Sequence, residues 1–122
     1  MSDSMSKPDI EAPSGPAPGD LTIRDLLVGE GPVAAGGDTV TVQYVGVEYD
    51  SGEEFDSSWG RGGGIRFPLQ GLIRGWQEGI PGMRVGGRRE LVIPPHLAYG
   101  PTGGHALGGR TLIFVIDLLG IG

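Results

Sequence analysis

Leu72-Ile73-Arg74-Gly75-Trp76-Gln77-Glu78-Gly79-Ile80-Pro81-Gly82-Met83 is the one segment of this chain that reads as a helix. Ile73, Trp76 and Ile80 stand at i, i+3 and i+7, so three large apolar side chains share one face, while Arg74, Gln77 and Glu78 fall on the other. Gly79 and Pro81-Gly82 end it, because glycine takes left-handed angles at little cost and proline cannot continue a helix. What remains is about two turns, too short to be stable alone in water. Something larger must cover the Ile/Trp face. The segments on both sides read as strands, which predicts a sheet wrapped over one short helix.

Working outward, residues 21–28 predict a first strand with Leu21, Ile23 and Leu26 inward. Residues 39–49 predict a second. Val40, Val42 and Tyr44 alternate on one face, then Val45, Val47 and Tyr49 take the opposite phase, which calls for a bulge beside Gly46 or for burial of both faces. Asp50-Ser51-Gly52 is a hairpin turn. The return strand spans 53–58, is interrupted by Trp59-Gly60-Arg61-Gly62-Gly63-Gly64, and resumes over 65–69. After the helix, residues 88–93 form a strand closed by Pro94-Pro95, and a glycine-rich loop runs from 96 to 109. The final strand, 111–119, is apolar on both faces except for Asp117 and is therefore central.

The 122 residues suit one domain. Residues 1–19 differ from the rest: Pro8, Pro13, Pro16 and Pro18 mix with Ser, Asp, Glu and Gly, and Ile10 is nearly alone as a large aliphatic. That composition predicts a disordered, dispensable N-terminal tail before a domain over residues 20–122. Glycine numbers 25, far above the usual share of about 7%. It punctuates apolar runs throughout, as turns in a β-rich domain do.

Several chemistries are excluded by what is missing. There is no cysteine, hence no disulfide, thiol nucleophile or thiolate metal site, and a reducing, cytoplasmic setting fits. A net charge of -6 argues against nucleic acid as a partner, and no apolar run reaches the roughly 20 residues of a membrane span. The only lysine is Lys7, so a phosphate-binding loop has no lysine to complete it, and there is no Gly-x-Ser-x-Gly elbow. His96 and His105 are the only histidines and lack ligand spacing, so no metal site is expected. An enzyme built on this chain works without metal, cofactor or covalent nucleophile.

The aromatic residues supply the alternative. Tyr44, Phe55, Phe67, Trp76, Tyr99 and Phe114 come from different segments, and a sheet wrapped on the helix brings several of them to one hollow floored by Trp76. Core packing is the commoner fate of any single aromatic. Tyr99, however, lies in a glycine loop, and Asp56 and Arg61 bring opposite charges close to Phe55; by themselves these two read as a solvated surface pair.

In order and spacing, Tyr44-Val45-Gly46, Phe55-Asp56-Ser57-Ser58, Ile73-Arg74-Gly75-Trp76-Gln77-Glu78-Gly79, Met83-Arg84-Val85-Gly86, Ile93-Pro94-Pro95, Leu97-Ala98-Tyr99-Gly100 and Leu112-Ile113-Phe114 resemble the FKBP family of peptidyl-prolyl cis-trans isomerases. The resemblance spans about residues 20–122. It implies an α+β fold, a curved antiparallel sheet of about five strands around one short α-helix. It also implies a monomer without cofactor that acts on proline-containing polypeptides and binds the macrolides tacrolimus and rapamycin. Carried over by motif, the catalytic set is Tyr44, Asp56, Trp76, Tyr99 and Phe114, and the substrate and macrolide contacts are Phe55, Arg61, Ile65, Leu72, Ile73, His105 and Leu107. Ile65 stands where many members carry a second aromatic, Gly71 replaces a longer side chain, and the loop over 102–110 is shorter than in the best-known members. Three functional readings follow: an active prolyl isomerase, which the residue types favour, a module that only binds proline or macrolide, and, more weakly, a chaperone, which no inserted flap domain or large apolar patch supports.

Overall fold

The computed structural model describes residues 6–13, 15–60 and 64–122. Among them run β1 (Thr22–Leu27), β2 (Thr39–Glu48), β3 (Glu54–Ser57), β4 (Ile65–Pro68), α1 (Arg74–Gly79), β5 (Arg88–Ile93) and β6 (Leu112–Ile121). They form one antiparallel sheet in the order β1-β5-β6-β2-β3, with β4 also on β2. β3 pairs with the far half of β2 and β4 with the near half, so the two are one return edge interrupted between Ser57 and Ile65. The sheet is thus five strands wide, as expected.

β6 lies between β5 and β2, and its residues 112–118 are all buried. Leu112, Phe114, Ile116 and Leu118 join Val40, Val42 and Tyr44 of β2 in the main core over α1. The opposite face carries Val45 and Val47 of β2, and Tyr49 just after it, with Ile113 and Val115 of β6. The two phases read in β2 are therefore two buried faces. Register shifts do occur, at Thr41/Val42 against β6 and at Gly46/Val47 against β3. Gly46 itself is required by contact: a Cβ there would lie 2.7 Å from the Phe55 ring and 2.8 Å from that of Phe114.

α1 is shorter than the segment that announced it. Ile73 is its N-cap, and Trp76 and Ile80 are buried. Gly79 does not end the helix by a left-handed turn. It lies in the last turn against β5, where a Cβ would come within 2.7 Å of Leu91, and Gly75 meets Ile93 in the same way at 2.5 Å. The two glycines let the helix backbone settle onto the sheet, and Gly82 (φ +97°) makes the turn that follows. Arg89 holds this end down: its Nη1 donates to the carbonyls of Gly79 (2.8 Å) and Pro81 (3.3 Å), and its Nε donates to Asp25 of β1 (2.6 Å). That guanidinium satisfies carbonyls that a helix C-terminus leaves open.

β1 departs from expectation. All six of its residues are exposed, Ile23 and Leu26 at 46% and 43%. It is an edge strand beyond the reach of so short a helix, and only Leu21, just before it, packs on the core. No helix among the described residues is long and apolar enough to cross a membrane.

Candidate functional site

Trp76 points from α1 toward the concave face of the sheet, where three rings meet it edge-on. Tyr44 of β2 lies at 5.2 Å between centroids and 81°, Phe114 of β6 at 5.3 Å and 87°, and Phe67 of β4 at 5.8 Å and 86°. Phe55 of β3 stands edge-on to Phe114 at 5.5 Å. These edge-to-face contacts use the positive ring edges against negative faces and fix ring orientation as well as burying area. Tyr44, Trp76 and Phe114 are buried, whereas Phe55 and Phe67 are half-buried and form walls.

The rings border an open hollow of about 170 Å³, whose rim is completed by Asp56, Leu72, Ile73 and Tyr99. A hollow of that size, open to solvent on one side, has room for a single small ring. Leu72 and Ile73 enter through the chain's approach to the helix: a 3₁₀ turn over Leu69–Gly71 is followed by extended backbone at Leu72 and Ile73. The Ile73 carbonyl accepts the N–H groups of Trp76 and Gln77, while its own N–H makes no hydrogen bond among the described residues. Ile73 itself lines the hollow.

Asp56 is exposed at the rim and firmly held. The Tyr44 hydroxyl donates to its Oδ2 at 2.7 Å, and the Ser57 N–H donates to its Oδ1 at 2.8 Å. Behind it, buried Ser58 ties β3 to β2: its Oγ accepts the Tyr44 N–H at 2.7 Å and donates to Gln43 Oε1 at 2.5 Å. Tyr99 is half-buried. Desolvation, and then the Asp56 charge, raise the pKa of its phenol above the usual value of 10. The folded state therefore keeps that proton to higher pH than the unfolded chain. The associated stability is complete below about pH 10 and is lost as pH rises through the folded value.

Of the residues nominated from sequence, Tyr44, Phe55, Asp56, Leu72, Ile73, Trp76, Tyr99 and Phe114 line this hollow. Ile65, His105 and Leu107 do not. Ile65 packs on the main core beside it, the exposed His105 stacks on the Tyr99 ring at 4.2 Å and 15°, and the Leu107 N–H donates to His105 Nδ1 at 3.0 Å. Arg61 lies outside the described residues. Phe67, named among the aromatic residues expected to converge but not carried over by motif, also lines the hollow. Its signal is strand parity: it pairs with Val40, whose side chain enters the main core, as do those of Val42 and Tyr44 further along β2.

A family model described as FKBP-type peptidyl-prolyl cis-trans isomerase matches residues 31–119. A probable FK506-binding protein of Corynebacterium glutamicum is 66% identical, over 94% of this chain and 98% of that protein. An FK506-binding protein of Streptomyces anulatus is 52% identical, over 97% and 99% respectively. Among solved structures, FkpA from Escherichia coli superposes with a TM-score of 0.74 at 42% identity, covering 83% of this chain and 47% of FkpA. AtFKBP13 superposes with a TM-score of 0.73 at 37% identity, over 87% of this chain and 96% of that one.

Proposed function

Because this chain belongs to the FKBP-type peptidyl-prolyl cis-trans isomerase family, we propose that it accelerates X–Pro rotation by seating the prolyl ring over Trp76 and binding the twisted amide better than the planar one. What supports this reading is a hollow walled by six aromatic rings and completed by Leu72, Ile73 and Asp56; the Ile73 N–H, which makes no hydrogen bond among the described residues, and the Tyr99 hydroxyl are the donors assigned to flanking carbonyls.

Rotation about an X–Pro bond is slow because amide resonance must be broken, a barrier of about 18–20 kcal/mol. At the twisted geometry that resonance is gone. The carbonyl is less polar and the nitrogen regains a lone pair. An apolar hollow disfavours the dipolar planar amide relative to the twisted one, and every 1.4 kcal/mol or so of this preference speeds the reaction about tenfold. No bond to hydrogen is made or broken. The two donors hold flanking carbonyls, so that the chain on one side of the bond is fixed while the other turns. Asp56, oriented by the Tyr44 hydroxyl, presents a carboxylate beside the rotating amide.

The same hollow suits the ligand in the relatives' names, FK506 (tacrolimus), and rapamycin, both of which bury a rigid ring and present carbonyls. Action as a cytoplasmic monomer on flexible proline-containing chains completes the reading. The test uses the two tryptophans. Trp59 lies in the broken return edge and is half-buried, so Trp59→Phe leaves Trp76 as the only indole. Titration with tacrolimus is expected to change its fluorescence and, in parallel, to abolish acceleration of a proline tetrapeptide. A fluorescence change seen only when Trp59 is present would move the ligand away from Trp76 and overturn the assignment of the floor.

A further inference from the structure

Among the described residues no helix covers the convex face of the sheet, yet Val47, Tyr49 and Ile113 on that face are 4%, 8% and 3% exposed. Val47 pairs with Ile113, and Ile113 with Val92, so an apolar row crosses β2, β6 and β5. The residue from outside the sheet that joins this cluster is Ile10, the lone large aliphatic of the proline-rich N-terminal segment. Polar contacts pin the chain on both sides of it. The Ser6 carbonyl accepts from Arg88 Nη2 at 2.6 Å, and that same guanidinium grips buried Asp117 through Nε and Nη2 at 2.6 and 2.8 Å. Lys7 pairs with Glu54 at 2.9 Å, and the Tyr49 hydroxyl donates to the Pro16 carbonyl at 3.2 Å. At the hairpin tip, Gly52 approaches Ala12 so closely that a Cβ would sit 3.0 Å from it.

We propose that residues 6–13 and 15–18 are a strap that docks on the convex face, completes a second small core there, and stabilises the domain without contributing to the hollow on the other face. The chemistry suits the task. Prolines fix φ near -65° and so lower the entropy that docking removes. They also lack N–H groups, so the segment lies over a sheet face without competing for strand pairing. One aliphatic side chain, set among small and charged residues, anchors on one apolar row. The strap gives the opposite prediction to the dispensable tail that composition alone suggests.

Thermal unfolding of the full chain and of a form lacking residues 1–18 tests this, with Ile10→Asp and Asp9→Ser in the full chain as the decisive pair. Deletion and Ile10→Asp are each expected to lower Tm by about 5 °C or more. Asp9→Ser, at an exposed position, is expected to leave it unchanged. For the full-length variants kcat/KM on a tetrapeptide, taken well below every Tm, is expected to stay within about twofold. An unchanged Tm for Ile10→Asp overturns the proposal even if the deletion fails to fold. A loss of kcat/KM as large as that from altering the hollow itself overturns the separation of the two faces.

Discussion

Among the described residues, Asp56 is the one carboxylate on the rim of a hollow otherwise lined by aromatic and aliphatic residues, and it is exposed while both its oxygens are held. A group so placed is expected to matter to turnover more than to folding. Its removal uncovers no core, and exposed charges contribute little to stability. Asp56→Ala is expected to lower kcat/KM about tenfold, an effect of about 1.4 kcal/mol on the transition state, and to shift Tm by no more than about 2 °C. Isomerisation kinetics and a thermal melt on the same preparation check this, and proportionate loss of both would make Asp56 a structural carboxylate. Tyr44 has two duties at this scale, its ring against Trp76 and its hydroxyl on Asp56. Ser58, which fastens the backbone of Tyr44, stood in a quoted motif without any role, because a buried serine and an exposed one look alike in sequence.

At the scale of elements, α1 rests on β5 through Gly75 and Gly79, and these carry a local cost that tertiary contact outweighs. Alanine at either position would improve helix propensity by roughly 1 kcal/mol. Gly79→Ala is nevertheless expected to be destabilising, by about 1–3 kcal/mol, because its methyl would occupy the place of the Leu91 side chain. The shift of a denaturant midpoint measures it, and a gain in stability would show that the helix and β5 separate freely. The helix, its buried face and the central position of β6 were legible because apolar spacing at 3.6 and 2 residues survives in the sequence. The role of Gly79 was not, since a glycine needed for close approach and one needed for a left-handed turn are written the same way. Nor was the exposure of β1, whose apolar Ile23 and Leu26 read as inward residues of a half-buried strand. What decides their fate is the reach of a six-residue helix across the sheet, a tertiary fact. Arg89, which joins β5, the helix end and β1, gave no periodic signal at all.

Taken whole, the molecule sets rings from four strands and a helix around one small hollow. Most of that hollow was legible through the aromatic residues and their motifs, while Phe67 and the stacking of His105 on Tyr99 depended on how strands and loop are seated. The central claim is that this hollow works by preferring a twisted, less polar amide, with no proton transferred. A general acid or base with a pKa near neutrality would leave a step or a bell in the rate profile. The Tyr99 phenol is pushed to higher pH by burial and by Asp56, so it keeps its proton throughout the neutral range and any loss through its ionisation comes above about pH 10. The most direct measurement is kcat/KM for an uncharged proline peptide from about pH 6 to 9, a window that includes the range where histidine side chains ordinarily change charge. It is made by a protease-free method on the wild-type chain and on His96→Ala and His105→Ala. The expected result is a rate flat within about twofold in all three. A tenfold step with pH that disappears in His105→Ala would make that histidine a proton-transfer catalyst and would contradict the account.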